Sequence, residues 1–369
     1  SRAGAGPMHG RLLLARRAFY LTAARPDQVP EDCRGSGFHG GLQALTLDRP
    51  YQPATTVSLP PANLVPDPAI TAMVNQVSQA NLQTHVTQLA NLFSRRTTRS
   101  ENAQAVSYVT GLLRQLPNIT FRTENFRSGY GPNIIAELRG TDLPNEIVMV
   151  GAHLDSIVGG NSAARSPGAD DNASGSSATL EMARIFSTKK FRRTIRFGWW
   201  NAEELGLVGS NAYAQAARNR GDNIVAYVNT DMNAYRRSGD TVSLDFVNND
   251  STTSLVNRMV ASIATYLPTL RVNRGNLSGG TSDHRSFFRA GFPAAFPFED
   301  LGNYSPFIHT SNDTVGTSAN DFNLSKLSTQ GIVASLADLA EVSVANPGRF
   351  QTFGAGCRGT GSIPSQFGS

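Results

Sequence analysis

Two neighbouring stretches decide the fold of this chain: Gly151-Ala-His-Leu-Asp-Ser156 and Pro167-Gly-Ala-Asp-Asp-Asn-Ala-Ser-Gly175. A short apolar run, residues 147–151, stands directly before His153 and predicts a buried strand. His153 and Asp155 then follow the carboxyl end of that strand, which is where ligand sites form in open α/β sheets. The second stretch brings Asp171 into a glycine-rich turn before a helical pattern that starts near Ser174.

The same arrangement occurs twice more along the chain. The apolar run 194–200 leads to Glu203 and Glu204, and the run 224–230 leads to Asp231. Helical patterns separate the three runs, and alternating strands and helices predict a parallel sheet with helices packed against it. We therefore expect an α/β fold with three layers, α/β/α, around a central, twisted, mixed but mostly parallel sheet. Its strands would bring a histidine and several carboxylates to one edge.

The remaining pattern divides the chain into three parts. Residues 1–70 are rich in Gly, Pro and Arg and lack a sustained period, which favours a leader or pro-segment, or a disordered arm. Residues 71–345 carry the periodic segments, with helices predicted from about 71, 100, 204, 252 and 324, and a loop at 300–314 that holds His309. Residues 346–369 are Gly/Ser-rich and are predicted to form a tail or linker.

Composition limits the classes of function. The 369 residues are 40% hydrophobic, enough for a large core, and the net charge of +5 comes with no aromatic interleaving of the basic runs. We expect no nucleic-acid partner and no membrane span, because no apolar run approaches the length of a bilayer-spanning helix. The two cysteines, Cys33 and Cys357, are too far apart in sequence for a Cys-x-x-Cys metal site, and both a single bridge and two free thiols stay open.

Mixed histidine and carboxylate ligands indicate the kind of metal. Zinc binds imidazole nitrogen and carboxylate oxygen, whereas calcium and magnesium prefer oxygen alone. Five such residues are too many for one catalytic zinc ion but suit two ions about 3.5–4 Å apart that share a carboxylate. A sixth acid near the shared water is a general base. The candidates are His153, Asp171, Glu204, Asp231 and His309 as ligands and Glu203 as the base.

At these residues the chain resembles the di-zinc aminopeptidases of peptidase family M28, particularly the bacterial leucyl aminopeptidase type. The matching words include Gly-Ala-His153-Leu-Asp155-Ser, Asn-Ala-Glu203-Glu204-Leu-Gly and Asn-Thr-Asp231-Met, together with the Asp171 stretch, Ser282-Asp-His-Arg-Ser-Phe and Pro-Phe-Ile-His309-Thr-Ser-Asn-Asp-Thr. The similarity extends from about residue 70 to 345. It implies a fold of the zinc-dependent exopeptidase type and a peptidase domain at residues 71–345.

The resemblance also implies a role for each residue. Asp171 bridges two zinc ions, His153 and Asp231 complete one ion, and Glu204 and His309 complete the other. Glu203 is the base that activates a metal-bridging hydroxide, Asp155 orients His153, and the peptide bond after Asp171 is cis. Phe298 and Leu301 match positions of an apolar pocket for the first side chain of the substrate. The expected substrates are the N-termini of peptides or proteins with apolar first residues.

One loop departs from the family pattern. Close relatives carry a cysteine pair and a tyrosine before the Ser-Asp-His word, where this chain reads Gly275-Asn-Leu-Ser-Gly-Gly-Thr281. The family's disulfide and substrate-holding hydroxyl are therefore missing, and Ser282 or a metal ion is the candidate to compensate. The alternatives are an M28-type carboxypeptidase anchored by Arg271, Arg274, Arg285 or Arg289, a glutaminyl cyclase, or a non-catalytic ectodomain. We expect a monomer that is secreted or periplasmic.

Overall fold

The computed structural model describes residues 11–16, 19–23 and 65–342. The two short segments near the amino terminus form strands β1 (Arg11–Arg16) and β2 (Phe19–Ala23), which pair antiparallel. Both lie in the predicted arm, and the division of the chain at residues 70 and 345 stays a prediction. Cys33, Cys357 and the predicted tail 346–369 lie outside the described residues.

A single eight-stranded sheet forms the centre of the described domain, in the order β3-β4-β6-β5-β7-β10-β8-β9. Four of its seven pairings are parallel (β6–β5, β5–β7, β7–β10 and β8–β9), and three are antiparallel. The sheet is therefore mixed and mostly parallel, as predicted. The strands are β3 (Thr120–Glu124), β4 (Asn133–Leu138), β5 (Leu143–His153), β6 (Arg193–Trp200), β7 (Asn223–Asn229), β8 (Ser243–Val247), β9 (Arg271–Gly275) and β10 (Ala294–Phe298).

Helices cover both faces of the sheet. Along β5, Val148 and Val150 join the apolar cluster that contains side chains of α2, α4 and α8, whereas Ile147 and Met149 join the cluster of α5 and α7. Because successive side chains of a strand point to opposite faces, this alternation shows that helices cover β5 on both sides. The predicted three-layer architecture is confirmed. The helices are α1 (Pro68–Val74), α2 (Gln79–Ala90), α3 (Asn102–Leu113), α4 (Gly175–Phe186), α5 (Val208–Arg220), α6 (Thr253–Tyr266), α7 (His284–Arg289) and α8 (Phe322–Ala340).

Strand register brings the three predicted ligand segments to one edge. β5 lies between β6 and β7 and is parallel to both, with His153 opposite Trp200 and Gly151 opposite Asn229. The residues that follow the three strands therefore leave the sheet side by side. The carboxyl ends of the three strands lie next to one another, because parallel strands expose their carboxyl ends at the same edge of a sheet.

Several predicted boundaries are wrong. The helix predicted from residue 204 begins at Val208, because residues 201–207 form a turn that includes Gly206 at φ 108°. Strand β9 was not predicted, since only one of its five residues is a large apolar side chain. The helical pattern also predicted that Phe93 continues the helix of Leu82 and that the last helix reaches about Val344. Instead, Phe93 lies beyond the end of α2 and is 46% exposed, and the last helix ends at Ala340. No helix in the described part of the chain has the length and apolar character that crossing a bilayer requires.

Candidate metal centre

The carboxylate of Asp171 stands between the two histidines. Its Oδ1 lies 3.1 Å from Nε2 of His153, and its Oδ2 lies 3.1 Å from Nε2 of His309. The residue sits in a π-helical turn, Ala169–Ser174, just before α4, and its side chain is 2% exposed. The peptide bond from Asp171 to Asn172 is cis, as the resemblance implied. One carboxylate thus faces two imidazoles, one with each oxygen.

Glu204 and Asp231 complete the two halves of the cluster. Oε2 of Glu204 lies 2.8 Å from Nε2 of His309, and Oδ1 of Asp231 lies 3.3 Å from Nε2 of His153. His153, Asp171 and Glu204 offer ligand atoms that all lie within 4.8 Å of one another. The structure therefore brings all five predicted ligands together in two groups that share Asp171.

His153 is oriented mainly by a backbone carbonyl. Its Nδ1 lies 3.1 Å from the carbonyl oxygen of Asp155, whereas the nearer carboxylate oxygen of Asp155 is 3.7 Å away, beyond ordinary hydrogen-bond distance. The same carboxylate oxygen accepts the backbone N–H of Glu203 at 3.1 Å. Asp155 therefore places the turn that carries Glu203 as well as the imidazole, a second contact that its sequence position did not reveal.

Buried asparagines fix the turn that carries Glu203 and Glu204. The side-chain oxygen of Asn133 accepts the backbone N–H of Asn201, and its amide donates to the carbonyl of Gly209 at the start of α5. Asn102, on α3, donates to the side chain of Asn201 at 2.7 Å. These bonds hold both ends of the turn, so the two glutamates start from a fixed backbone.

Positive backbone angles occur where the chain turns into the cluster. Ala202, Met232 and His309 have φ values of 59°, 56° and 55°, a region that residues other than glycine rarely adopt. Two of them adjoin Glu203 and Asp231, and the third is itself a predicted ligand. Such strain persists only where the surrounding structure holds it, and it is common at functional sites.

A buried arginine braces two ligand segments. The guanidinium of Arg95 is fully buried and donates to the carbonyls of Leu154, Pro167 and Gly168. Leu154 lies between His153 and Asp155, and Gly168 begins the turn that carries Asp171. Burial lowers the pKa of Arg95 to about 10. The nearby carboxylates of Asp313, Asp155 and Asp171 act in the opposite direction, because their negative charge favours the protonated guanidinium.

Asp313 is a second brace that the sequence did not single out as a site residue. Its carboxylate is 1% exposed and accepts the backbone N–H groups of Asp170 at 2.9 Å and of Asp171 at 3.1 Å. It follows His309 by four residues, within the motif Pro-Phe-Ile-His309-Thr-Ser-Asn-Asp-Thr on which the resemblance rests. That motif therefore supplies both a candidate ligand and a residue that supports Asp171.

The buried carboxylates form an anionic pocket that favours positive charge. Burial and the charge of Asp171 together raise the pKa of Glu204 to about 7, although His309 and His153 act in the opposite direction. Burial would lower the pKa of His309, yet Glu204 and Asp171 raise it well above its usual value. Burial likewise would raise the pKa of Asp171, but hydrogen bonds to His153 and His309 lower it below its ordinary range. Positive charge at this position is therefore strongly favoured.

Divalent cations fit this set of side chains. Oε1 of Glu204 and Oδ1 of Asp231 are buried and make no hydrogen bond to any described residue. Buried carboxylate oxygens are normally hydrogen-bonded or coordinate a metal. The donors are imidazole nitrogen and carboxylate oxygen, the ligands that zinc accepts. The metal centre thus has the right chemistry for zinc.

Ser282 binds a candidate ligand in this structure. Its hydroxyl is buried, donates to Oδ2 of Asp231 at 2.6 Å and accepts from the amide of Asn229 at 2.8 Å. The single hydroxyl proton is therefore engaged by Asp231. The sequence predicted a substrate contact at Ser282, and the geometry instead favours support of the metal centre.

Ser282→Ala is expected to weaken metal binding rather than substrate binding. Loss of a hydrogen bond to a ligating carboxylate typically costs about 10-fold to 100-fold in metal affinity. Titration with a chelator, followed by metal analysis, measures this change. Ser278→Ala, an exposed position in the same loop, is the matched control. A higher KM with unchanged metal affinity would instead assign Ser282 to the substrate.

An apolar cluster borders the metal centre on the side of Asp231 and His309. Phe298 is fully buried in it, whereas Leu301 and Tyr304 pack against it half-buried. The ring of Tyr304 contacts that of Phe298 at a centroid distance of 5.8 Å and lines an open pocket of about 500 Å³ with Ile308 and Tyr235. Phe298 therefore supports the pocket through its contact with Tyr304. The other cluster members are Met232, Val247, Leu277 and Phe296.

Comparison with known proteins matches this arrangement to a family. The model of peptidase family M28 matches residues 133–326, which is 194 of the 369 residues and more than half of the chain. The chain belongs to peptidase family M28. The match contains seven of the eight sheet strands in full, β4 to β10, and it includes all five candidate ligands and Glu203.

Named members of family M28 resemble this chain closely. A probable leucine aminopeptidase of Arthroderma otae is 38% identical over 50% of this chain and 51% of that protein. Leucine aminopeptidase 1 of the same fungus is 32% identical over 67% of this chain and 70% of its own length. The match thus spans about half the length of the first of these relatives. LapA of Legionella pneumophila has a TM-score of 0.68 at 26% identity, covering 73% of this chain and 76% of that structure.

Proposed function

We propose that this M28 chain is a zinc aminopeptidase that hydrolyses the first peptide bond of peptides or proteins with a free amino terminus. The observation that carries the proposal is the position of the Asp171 carboxylate between two histidines, each of which has a second carboxylate beside it: Asp231 beside His153 and Glu204 beside His309. The names of the relatives, leucine aminopeptidases, support the direction of cleavage.

Two zinc ions are proposed, with Asp171 shared between them. His153 and Asp231 would hold one ion, and Glu204 and His309 the other. Bound there, the ions would polarise the scissile carbonyl and lower the pKa of water. Three ligand carboxylates and the carboxylate of Glu203 balance the charge of two divalent ions, so the assembled centre is close to neutral.

Glu203 is the proposed general base. Burial raises the pKa of its carboxyl well above the ordinary value, and although His153 opposes this, the carboxylates of Asp283, Glu204 and Asp231 raise it further. Cations in the centre would lower this pKa toward neutrality, which suits a group that takes a proton from water and returns it to the leaving amine. The backbone N–H of Glu203, held by Asp155, fixes its position.

An apolar first residue is the proposed preference. The pocket next to Ile308 has an apolar part made by Tyr235, Tyr304, Pro306 and Ile308, with Leu301 and Phe298 packed in the adjoining cluster. Its remaining lining is Arg237, Gly302, Asn303 and Ser305. Such a pocket discriminates modestly, since one methylene changes the transition-state energy by about 1–3 kcal/mol. The predictions that the protein is monomeric and is secreted or periplasmic stay predictions.

Hydrolysis of two substrates separates this proposal from its alternatives. We expect turnover of leucine p-nitroanilide and no turnover of N-acetyl-leucyl-leucine, which has a blocked amine and a free carboxylate. The opposite pattern would indicate a carboxypeptidase. Cyclisation of a peptide with an amino-terminal glutamine, without cleavage, would indicate a glutaminyl cyclase. A protein that binds zinc and acts on none of them would be a non-catalytic member of the family.

Three of the four arginines considered as carboxylate anchors have polar partners outside the candidate metal centre. Arg285 is 3.2 Å from the carboxylate of Asp250, and Arg274 donates to Asn257 on the protein surface. Arg271 donates to Asn273, two residues along the same strand. These contacts give no support to a carboxypeptidase anchored at that loop.

A further inference from the structure

A series of buried hydrogen bonds leads from the interior of the sheet to the candidate ligand Asp231. The indole N–H of Trp200 donates to the hydroxyl of Tyr227 at 2.9 Å, and that hydroxyl donates to the side-chain oxygen of Asn229 at 3.0 Å. The amide of Asn229 donates to the hydroxyl of Ser282 at 2.8 Å, and Ser282 donates to Asp231 at 2.6 Å. The four donor residues, which we call the relay, are each 0% exposed.

We propose that the three relay residues behind Ser282 are positioning residues that raise the affinity for the zinc ion assigned to His153 and Asp231. They would act through Ser282, the one relay residue that contacts Asp231 directly. The inference rests on the two-ion centre proposed above. It extends the support of that centre from the direct partner of a ligand to Trp200, Tyr227 and Asn229.

The direction of the relay is fixed at both ends. An indole N–H can only donate a hydrogen bond, and an ionised carboxylate can only accept one. Because the hydroxyl of Tyr227 accepts from Trp200, its single proton goes to the oxygen of Asn229. The amide nitrogen of Asn229 then faces Ser282, whose own proton goes to Asp231. Each polar group of the relay therefore has one orientation.

The relay divides the work between the two oxygens of Asp231. Oδ2 accepts the hydroxyl of Ser282, whereas Oδ1 lies 3.3 Å from Nε2 of His153 and makes no hydrogen bond to any described residue. One oxygen is thus held by the protein, and the other is left for a cation beside His153. Hydrogen bonds to a ligating carboxylate orient it before metal binds, and successive hydrogen bonds strengthen one another in a buried setting.

A glycine makes room for the first hydrogen bond of the relay. Trp200 ends β6 and Tyr227 lies in β7, and β5 runs between these two strands. A methyl group on Gly151 of β5 would lie 2.7 Å from Nε1 of Trp200 and 3.0 Å from the hydroxyl oxygen of Tyr227. Any other residue would push the two side chains apart. The relay therefore gives a physical reason for the glycine two residues before His153.

Stacked rings hold the hydroxyl of Tyr227 in place. The ring of Phe287 lies parallel to that of Tyr227, with centroids 3.6 Å apart and an interplanar angle of 8°. Phe287 belongs to the motif Ser282-Asp-His-Arg-Ser-Phe, so this motif supplies both the last donor of the relay and the ring that packs on its second member. Phenylalanine in place of Tyr227 would keep the stacking and remove only the hydroxyl.

Tyr227→Phe is expected to lower the affinity for one of two zinc ions by about 10-fold, the lower end of the range for groups that support a ligand. The affinity for the other ion should stay at the wild-type value. Competition with a zinc-binding dye measures both affinities without turnover. Tyr213→Phe is the matched control, since it removes an equally buried hydroxyl from the same aromatic cluster, where Arg196 is the partner. It should change neither affinity.

A double variant tests whether Tyr227 acts through Ser282. If it does, adding Tyr227→Phe to Ser282→Ala should lower zinc affinity no further, because the connection to Asp231 is already broken. Losses that add in the double variant would overturn the inference. Unchanged affinity in Tyr227→Phe, or an equal loss in Tyr213→Phe, would overturn it as well. A wild-type protein that binds fewer than two zinc ions would instead overturn the two-ion centre.

A measurement on the wild-type protein does not depend on the folding of any variant. The chain has two tryptophans, Trp199 and Trp200, and therefore two indole N–H resonances after labelling with nitrogen-15. Zinc binding at Asp231 should shift the resonance of Trp200, because the carboxylate that terminates the relay changes its charge distribution. The shift should be lost in Ser282→Ala. Two indole resonances that stay in place while two zinc ions bind would overturn the inference and leave the metal centre intact.

Discussion

Glu203→Gln is expected to lower kcat by about 10²-fold to 10⁴-fold while the protein keeps its metal ions. A general base typically contributes a factor of this size, and glutamine has the same shape but cannot take a proton. Glu203 is not one of the five ligands that surround Asp171, so metal content should stay at the wild-type value. Turnover of leucine p-nitroanilide and elemental analysis of the same sample measure the two quantities.

The stability of this variant distinguishes catalysis from folding. Burial raises the pKa of Glu203, which shows that the protein environment disfavours its charge. Neutral glutamine avoids that cost, so the thermal midpoint of Glu203→Gln without metal should equal or exceed that of the wild-type protein. Near-normal turnover would remove Glu203 from the mechanism, and a large loss of bound metal would make it a ligand instead.

Asp171→Asn should remove both metal ions and with them the activity. Among the residues that the structure describes, only Asp171 faces both histidines, and an amide presents one oxygen where the carboxylate presents two. Loss of a group that merely supports a ligand costs about 10-fold to 100-fold in affinity, so loss of a shared ligand should cost at least that much for each ion. Metal analysis after dialysis against a weak chelator gives the stoichiometry directly.

The matched control for Asp171→Asn is Asp142→Asn. The side chain of Asp142 is 55% exposed at the opposite end of β5, where the change should affect neither metal content nor activity. A variant at Asp171 that loses one ion and keeps the other would contradict the shared position. Retention of both ions would contradict the proposed metal centre as a whole.

Three of the five candidate ligands were predictable because each follows a strong local signal. His153, Glu204 and Asp231 stand directly after apolar runs that form central parallel strands, and register alone brings such positions together. His309 lies in a loop without a periodic pattern, so the sequence offered it only as a further histidine for the mixed ligand set, and its role came from the resemblance. Asp171 was predicted from its glycine-rich turn before a helix, its bridging role came from the resemblance, and the structure adds how its two oxygens divide between the histidines.

The supports around the ligands could not be predicted from the sequence. Arg95 and Asp313 form hydrogen bonds with backbone groups, such as the carbonyl of Leu154 and the N–H of Asp171. Because nearly every residue type carries these backbone groups, the sequence does not reveal which residues are the partners. Ser282 was predicted to compensate for the family's missing substrate-holding hydroxyl, and the sequence could not show that its hydroxyl donates to Asp231. The edge strand β9 was missed since an edge position needs little apolar character.

The hydrogen bonds of Arg95 determine how much of the chain an active protein must contain. The family match begins at residue 133, yet the guanidinium that ties the carbonyls beside His153 and ahead of Asp171 comes from residue 95. A polypeptide trimmed to the matched region would keep every candidate ligand and lose the cation that fixes their spacing. Heterologous production of an active enzyme should therefore retain α2 and α3, whatever the span of the recognisable motif.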